Sequence, residues 1–162
     1  MTGYAAPAPN ANALLGYAVT KTENINTATG VDLFTVTGKV LITMWAGEVT
    51  NALHTTVTDY KLRVKADNVD LCAATDLSSA AVGYMFSLSN DAGDTLLQSS
   101  SYAVSAVKAT DNNAKPMAHR IIGLAGGTCT LQSLRTAGAA GDELKHTLFY
   151  LPLEAGASIV AA

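Results

Sequence analysis

Charged side chains are scarce in this sequence. Only 14% of its 162 residues are Asp, Glu, Lys or Arg, whereas about 25% is typical of soluble domains. Ala, Thr, Ser, Gly and Asn are abundant instead. Such a surface is easily covered by a partner, because few ionised groups must leave water. The composition therefore favours a protein that contacts copies of itself or a lattice. A compositional habit of the source organism is the alternative explanation.

The sequence also lacks a basic surplus and a long apolar run. Ten basic and 13 acidic residues give a formal net charge of −3, which argues against broad binding to nucleic acid. The densest basic cluster, Lys61, Arg63 and Lys65, alternates along a predicted strand and forms either a solvated face or a contact with an acidic partner. No run approaches the roughly 20 apolar residues that span a bilayer. The first 20 residues lack the charged and apolar regions of a signal peptide, so we expect cytoplasmic synthesis and no membrane partner.

Cysteine occurs only twice, and neither site resembles a reactive thiol. Cys72 lies in the stretch DLCAATDL, where Asp70 and Asp76 disfavour the thiolate that nucleophilic chemistry needs. We predict that Cys72 is a small buried apolar residue and that Asp76 caps a turn. Cys129 lies in a strand-like run. A disulfide between the two stays open, although a reducing cytoplasm argues against it.

Motifs for metals, phosphates and catalysis are missing. The histidines and cysteines have no partners at zinc spacing, and the loop of residues 90–94 has no Glu at EF-hand distance. The run GLAGGT has no lysine after its glycines, and neither GxSxG nor HExxH occurs. We therefore predict no metal, no cofactor and no enzyme activity. The competing enzyme hypothesis is a hydrolase that uses Asp59, Asp70 or Asp76.

Aromatic residues make up only 6% of the chain. Trp45, the one tryptophan, lies in the most apolar run, which favours a role in the core over a sugar-stacking platform. Tyr84 and Tyr102 are the other aromatic candidates for a receptor- or glycan-binding module. Because these three residues are dispersed along the chain, that module is the alternative function and not the main one.

Short β-like runs separated by turns follow Gly30. Residues 33–36 form a first run, and the almost continuously apolar run 40–46 predicts a strand buried on both faces. Tyr60, Leu62 and Val64 alternate with charged residues, which is typical of a half-buried antiparallel strand. Runs 121–124 and 128–131 flank Gly126-Gly127, a hairpin signal. These patterns predict an all-β antiparallel sandwich or barrel, with a jelly-roll-like arrangement among the possibilities.

The first 30 residues differ from the rest of the chain. They are rich in Ala, Asn, Thr and Pro, so we predict an extended N-terminal arm over residues 1–30 and a single β domain over residues 31–162. The arm is either a clasp on a neighbouring subunit or a frayed terminus. Its candidate interface residues are Tyr4, Pro7, Pro9, Leu14, Leu15 and Tyr17. The candidate core residues of the β domain are Trp45, Tyr60, Leu62, Val64, Cys72 and Phe149.

Three segments carry a resemblance to a known group of proteins. They are FTVTGKVLITMWAGEVTNAL, TDYKLRVKADNVDLCAATDLSSAAVGYMFSLS and LFYLPLEAGASIVAA. Together they resemble small virion structural proteins of tailed bacteriophages, the group that includes capsid decoration, or cement, proteins. The resemblance covers roughly residues 31–88 and 144–162 and contains no catalytic residue.

The resemblance implies a β-rich, non-enzymatic protein of the phage particle. With the charge-poor composition, it leads us to expect a decoration protein that binds the outside of the head lattice. The expected partners are the protein itself, most plausibly as a trimer, and the major capsid protein. A neck or tail structural protein remains the alternative placement in the virion.

Overall fold

The computed structural model describes residues 16–26, 30–99, 107–108 and 119–162. These residues contain ten strands and no helix, and every pairing between strands is antiparallel. The predicted all-β antiparallel class is confirmed, and the sheet is open where a barrel would be closed. The strands are β1 (Tyr17–Asn24), β2 (Val31–Asn51), β3 (Lys61–Val64), β4 (Val69–Asp70), β5 (Met85–Ser87), β6 (Leu97–Ser99), β7 (Val107–Lys108), β8 (Arg120–Leu134), β9 (Glu143–Pro152) and β10 (Ser158–Ala161).

The sheet is organised around β2, which is 21 residues long. One edge of β2 pairs with β8 and then with β5, and the other edge pairs with β10 and then with β9. Strand β1 extends the sheet beyond β9, β3 and β4 extend it beyond β8, and β6 and β7 extend it beyond β5. Thus one long strand connects all the branches of the sheet.

The predicted hairpin at Gly126-Gly127 is wrong. Both flanking runs belong to β8 and pair with β2, not with each other. The register passes from Lys39 opposite Gly123 to Thr37 opposite Thr128, so residues 124–127 bulge from the sheet. Gly123 has a φ of +128°, and a Cβ there would lie 1.9 Å from the carbonyl oxygen of Gly38. The glycine pair therefore marks a bulge within β8 and not a reversal of the chain.

Residues 17–24 of the predicted arm belong to the sheet instead. Residues 17–24 form β1, which pairs along its whole length with β9. Tyr17, predicted as an interface residue, is half-buried against the core, and its ring centroid lies 5.7 Å from that of Tyr150. Burial alternates along this strand, with Tyr17, Val19, Lys21 and Glu23 on the more buried side. The sequence shows no matching alternation, because Ala18 is apolar and Lys21 and Glu23 are charged. The other five predicted interface residues, from Tyr4 to Leu15, lie outside the described residues.

One face of the sheet, the inner face, packs into a single hydrophobic core. The predicted core residues Trp45, Tyr60, Leu62 and Cys72 are fully buried there, and Val64 is half-buried against them. Along β2, alternate residues point into the core, with a shift at the bulge between Ile42 and Met44. These observations confirm the interpretation of the alternating strand at residues 60–64.

The prediction that Phe149 belongs to the core is wrong. Leu148 and Tyr150, its neighbours in β9, are buried on the inner face. Phe149 therefore points to the opposite, outer face, where it lies across from Met44 and is half-buried. The prediction relied on the residue type, but the period of two decides which face a strand residue occupies.

Candidate functional site

The DLCAATDL stretch forms a corner of the scaffold. Thr75 forms a pair of backbone hydrogen bonds with Tyr60, and its hydroxyl accepts a hydrogen bond from the Leu96 backbone at 2.9 Å. The Cys72 sulfur accepts one from the Leu62 backbone at 3.3 Å. Burial and the nearby charge of Asp70 raise the pKa of the Cys72 thiol to about 11. A thiol in this state is a structural group, since nucleophilic chemistry requires the thiolate.

The three carboxylates of the enzyme hypothesis hold separate parts of the fold. Asp59 accepts a hydrogen bond from the Thr136 backbone at 3.0 Å, and Asp70 pairs with Lys61 at 2.9 Å. Asp76 caps a turn by accepting a hydrogen bond from the Ser78 backbone at 2.8 Å. Hydrogen bonds from the Ser78 side chain and backbone lower the pKa of Asp76. The role predicted for Asp76 is confirmed.

Five ionisable or hydroxyl-bearing side chains meet in a buried polar cluster that the sequence analysis missed. It lies where β1, β8 and β9 face residue 60, and Glu23 is at its centre. The Glu23 carboxylate accepts hydrogen bonds from the Tyr60 hydroxyl at 2.7 Å, from Arg135 Nη1 at 2.6 Å and from the Ser133 hydroxyl. His146 Nε2 lies 2.9 Å from the same carboxylate. The side chains are no more than 1% exposed in the five residues Glu23, Tyr60, Ser133, Arg135 and His146.

The hydrogen bonds orient the ring of His146. The Trp45 indole N–H, which can only donate, lies 3.3 Å from His146 Nδ1. Nδ1 must therefore accept, so the proton of a neutral imidazole resides on Nε2 and points to Glu23. Hence the cluster contains a buried ion pair between Glu23 and Arg135, and His146 directs Nε2 at the same carboxylate.

The surroundings shift the pKa values of two groups in the cluster. Burial alone would raise the pKa of Glu23. The hydrogen bond from His146, the electrostatic interaction with that ring, the hydrogen bond from Ser133 and the charge of Arg135 outweigh burial and lower the pKa. Burial, followed by the negative charge of Glu23, raises the pKa of Tyr60 well above its ordinary value. Since these groups are closed off from solvent, the arrangement joins strands and offers no surface for a substrate. The missed signal was the presence of Glu23 and His146 at inward-pointing positions of alternating strands.

A second titratable pair lies at the surface. His54 Nδ1 is 2.5 Å from Asp142 Oδ1, and the Asp142 carboxylate is buried while the His54 side chain is 61% exposed. The backbone of His54 and that of Ala139 also donate to Asp142. In the described part of the chain, no hydroxyl or thiol hydrogen-bonds the His54 ring. Among the residues described, the pair thus has no nucleophile beside it of the kind that a catalytic triad needs, and its hydrogen bonds fasten two turns together.

The outer face of the sheet is apolar at its centre. Leu41 lies directly opposite Leu151 on one neighbouring strand and Ile121 on the other, so these side chains form a row across three strands. Ile121 is 70% exposed, and Leu151 is also exposed. Neighbouring rows extend this patch. We call the set the outer apolar face: Leu41, Met44, Ile121, Phe149, Leu151, Leu153 and Val160.

A cavity of about 560 Å³ lies beside the free edge of β8. Strand β3 pairs with β8 only at residues 131–134, and Lys65 adds a backbone hydrogen bond to Thr130. Within the described ranges, the preceding edge of β8 has no strand partner. We call this cavity the edge groove. Its walls include Val64, Val69, Leu71, Arg120, Ile122, Leu124 and Cys129.

A polar cavity of about 540 Å³ lies elsewhere and includes Tyr84, Asp76 and Gln98 in its walls. The Tyr84 hydroxyl donates to Gln98 at 2.6 Å. Of the three aromatic residues considered for glycan binding, Tyr84 lines this cavity and Trp45 is buried in the core. Tyr102 lies outside the described residues.

Both cysteines are free thiols, and Cys129 is half-buried at the edge groove. Among residues that the structure describes, no three His, Cys, Asp or Glu side chains are grouped as metal ligands would be. Residues 89–94 form a turn in which Asp91 accepts from the Gly93 backbone at 2.8 Å. None of the described residues form a helix long and apolar enough to cross a membrane.

The fold and these sites together define an all-β protein built on one open antiparallel sheet. Comparison of the chain with protein-family models, with curated proteins and with solved structures found no match.

Proposed function

We propose that this chain is a structural protein of a tailed-phage particle that decorates the outside of the head as a homo-oligomer. The observation that carries the proposal is the outer apolar face, in particular the row Leu151, Leu41 and Ile121. Exposed apolar side chains that adjoin one another on one sheet face are typical of an interaction surface. The low charge of the chain points the same way, and so does the resemblance to virion proteins.

The mechanism is stabilisation by burial. Each 100 Å² of apolar surface that leaves water contributes roughly 2–3 kcal/mol before the costs of association. On this face Lys39 lies between Leu41 and the part of β2 that pairs with Val160, and Glu48 and Lys145 lie opposite each other. The row Leu151, Leu41 and Ile121 itself contains no charged residue. A neighbour can therefore cover the apolar centre without desolvating an ion pair. Repetition of such a contact around a symmetric shell adds many modest contributions.

The test is binding of the purified full-length chain to heads of the phage that encodes it. Cosedimentation and electron microscopy should find the protein on the outer surface of the head. Ile121→Lys should weaken binding by about tenfold or more if the row is part of the contact. Val82→Lys is the matched control, because Val82 is 58% exposed but lies in a turn. Density for the protein only in the neck or tail would contradict the placement on the head.

The second candidate function is a receptor- or glycan-binding module, which the polar cavity beside Tyr84 favours. Tyr84, Asp76 and Gln98 provide a ring and several hydrogen-bonding groups at one place. A glycan array should then detect specific binding that is lost in Asp76→Ala and kept in Ile121→Lys. An array without specific signal leaves the decoration function as the better proposal.

A further inference from the structure

The edge groove exposes one end of the core. Side chains from both faces of β8 reach it: Ile121 from the outer face and Ile122 from the inner face. On the opposite wall lie Val64 and residues of the β3–β4 turn. The gap has the form left by a missing edge strand, since alternate side chains of an added strand would fill the cavity while its backbone paired with β8.

The chain outside the described structure includes a segment suited to this gap. Residues 1–15, which we call the N-terminal segment, contain no charged side chain and end in Leu14-Leu15. Pro7 and Pro9 lack an N–H, but residues two apart in an extended strand direct their backbone groups to the same side. All missing donors thus fall on one side of the segment. The other side keeps its hydrogen-bonding groups, as an edge strand requires.

The two partners lie at opposite edges of the sheet. The N-terminal segment joins the fold at Gly16, whose φ is +85° and whose Cβ, if present, would lie 2.8 Å from the Leu151 side chain. Along the row of Leu151, Leu41 and Ile121, the free edge of β8 lies three strand spacings away, about 14 Å. A donor at one edge and an acceptor at the other give a head-to-tail contact, which closes into a ring when the rotation between successive copies permits it.

We propose that the N-terminal segment of one copy pairs as an added edge strand with β8 of a neighbouring copy and fills its edge groove. The fully extended segment spans about 50 Å, which is ample for a crossing between neighbours. The proposal deepens the proposed function, because it rests on assembly into a homo-oligomer and names the surface that joins the copies. The uncharged N-terminal segment fits a groove in which two charged wall residues already have partners: Arg120 donates to the Ser89 carbonyl oxygen at 3.0 Å and Asp70 pairs with Lys61 at 2.9 Å. Asp67 is the third charged residue in the described walls.

The test uses full-length chains and the native Cys129 in the groove. One variant carries Ala8→Cys, Ala11→Cys or Ala13→Cys together with Cys129→Ser. It is mixed with a differently tagged wild-type chain and mildly oxidised in the absence of phage heads. At least one position should form a disulfide between the two chains, visible as a heterodimer under non-reducing conditions. Val82→Cys with Cys129→Ser is the control for random collision.

A groove variant gives an independent reading. Val69→Lys, in the groove wall, should lower the yield of the inter-chain disulfide at least tenfold, whereas Val82→Lys should leave it unchanged. A yield no higher than that of the collision control at all three positions would overturn the proposal. So would a disulfide that forms only within one chain when both cysteines are present, because the segment would then fold onto its own groove. Failure to bind heads would overturn the proposed function and leave this result intact.

Discussion

The buried ion pair between Glu23 and Arg135 permits a quantitative test of what stabilises this fold. In Glu23→Gln the side chain keeps its shape but loses its charge, so the guanidinium of Arg135 remains buried without a counter-charge. Within the described residues, two of its nitrogens, Nε and Nη2, already lack hydrogen-bond partners. Removing one partner of a buried ion pair costs about 3–5 kcal/mol. That is a large part of a typical free energy of unfolding of about 5–15 kcal/mol.

Urea denaturation followed by Trp45 fluorescence measures this loss. Trp45 is the only tryptophan and is hydrogen-bonded to His146, so its emission reports on the buried polar cluster. The midpoint should fall while the m-value stays unchanged. The matched surface variant is Lys65→Met, which breaks the exposed ion pair with Asp32 and should cost less than about 1 kcal/mol.

A double-mutant cycle separates the ion pair from the shape of the side chains. When Arg135→Met has already removed the positive charge, Glu23→Gln should cost less than it does in the wild type. The expected difference is about 0.5–3 kcal/mol. A cost below about 1 kcal/mol in the wild type, or the same cost in both backgrounds, would refute the assignment of an ionised pair.

The pH dependence provides a further check on Glu23. Its pKa in the folded chain lies below the ordinary value of 4.5. The unfolded chain therefore takes up this proton at a higher pH than the folded chain does, and the stabilisation is present above about pH 4.5 and decreases as the pH falls below it. The Glu23→Gln variant should lack this component. Parallel acid titrations of both proteins would reveal it as a shallower slope for the variant.

Three further outcomes are expected. Burial and the charge of Glu23 raise the pKa of Tyr60, so the unfolded chain loses the phenolic proton at a lower pH than the folded chain does. The free energy of unfolding should therefore fall above about pH 10. Alkaline denaturation should show a smaller slope for Tyr60→Phe. Gly47→Ala should cost about 1–3 kcal/mol, since a Cβ there would lie 2.0 Å from the buried ring of Phe86, whereas Gly93→Ala in an exposed turn should be nearly neutral by thermal denaturation. The Cys72 thiol should react with a disulfide reagent at pH 8 only after denaturant is added, and equal rates before and after would contradict its burial.

The sequence predicted those parts of the fold that depend on local alternation. Tyr60, Leu62 and Val64 occupy the inner face as their spacing indicates. Cys72 and Asp76 have the structural roles expected for a small buried residue and a turn cap. Each of these inferences needed only the period of a strand or the hydrogen-bonding capacity of one side chain.

The parts that sequence reasoning missed depend on pairing between distant segments. Strand β1 is weakly apolar by itself and becomes part of the sheet because β9, more than 100 residues later in the chain, pairs with it. The hydrogen bond between Glu23 and Arg135 joins residues 112 positions apart. No local pattern identifies which charged residues will meet in the core. For the same reason, the hairpin predicted at Gly126-Gly127 is wrong, because both flanking runs pair with β2.

The run of residues 40–46 relates the sequence-based prediction of a fully buried strand to the proposed assembly. Its nearly continuous apolar sequence predicted a strand buried on both faces. In the described chain the inner residues Val40 and Ile42 are buried, but Leu41 and Met44 on the outer face are only half-buried. As a statement about the isolated chain, the prediction is therefore wrong. It becomes right if a neighbour covers the outer face, and this is the physical reason to expect assembly. When a strand is apolar on both faces and only one face packs on the core, the other face stays in contact with water until a neighbour covers it.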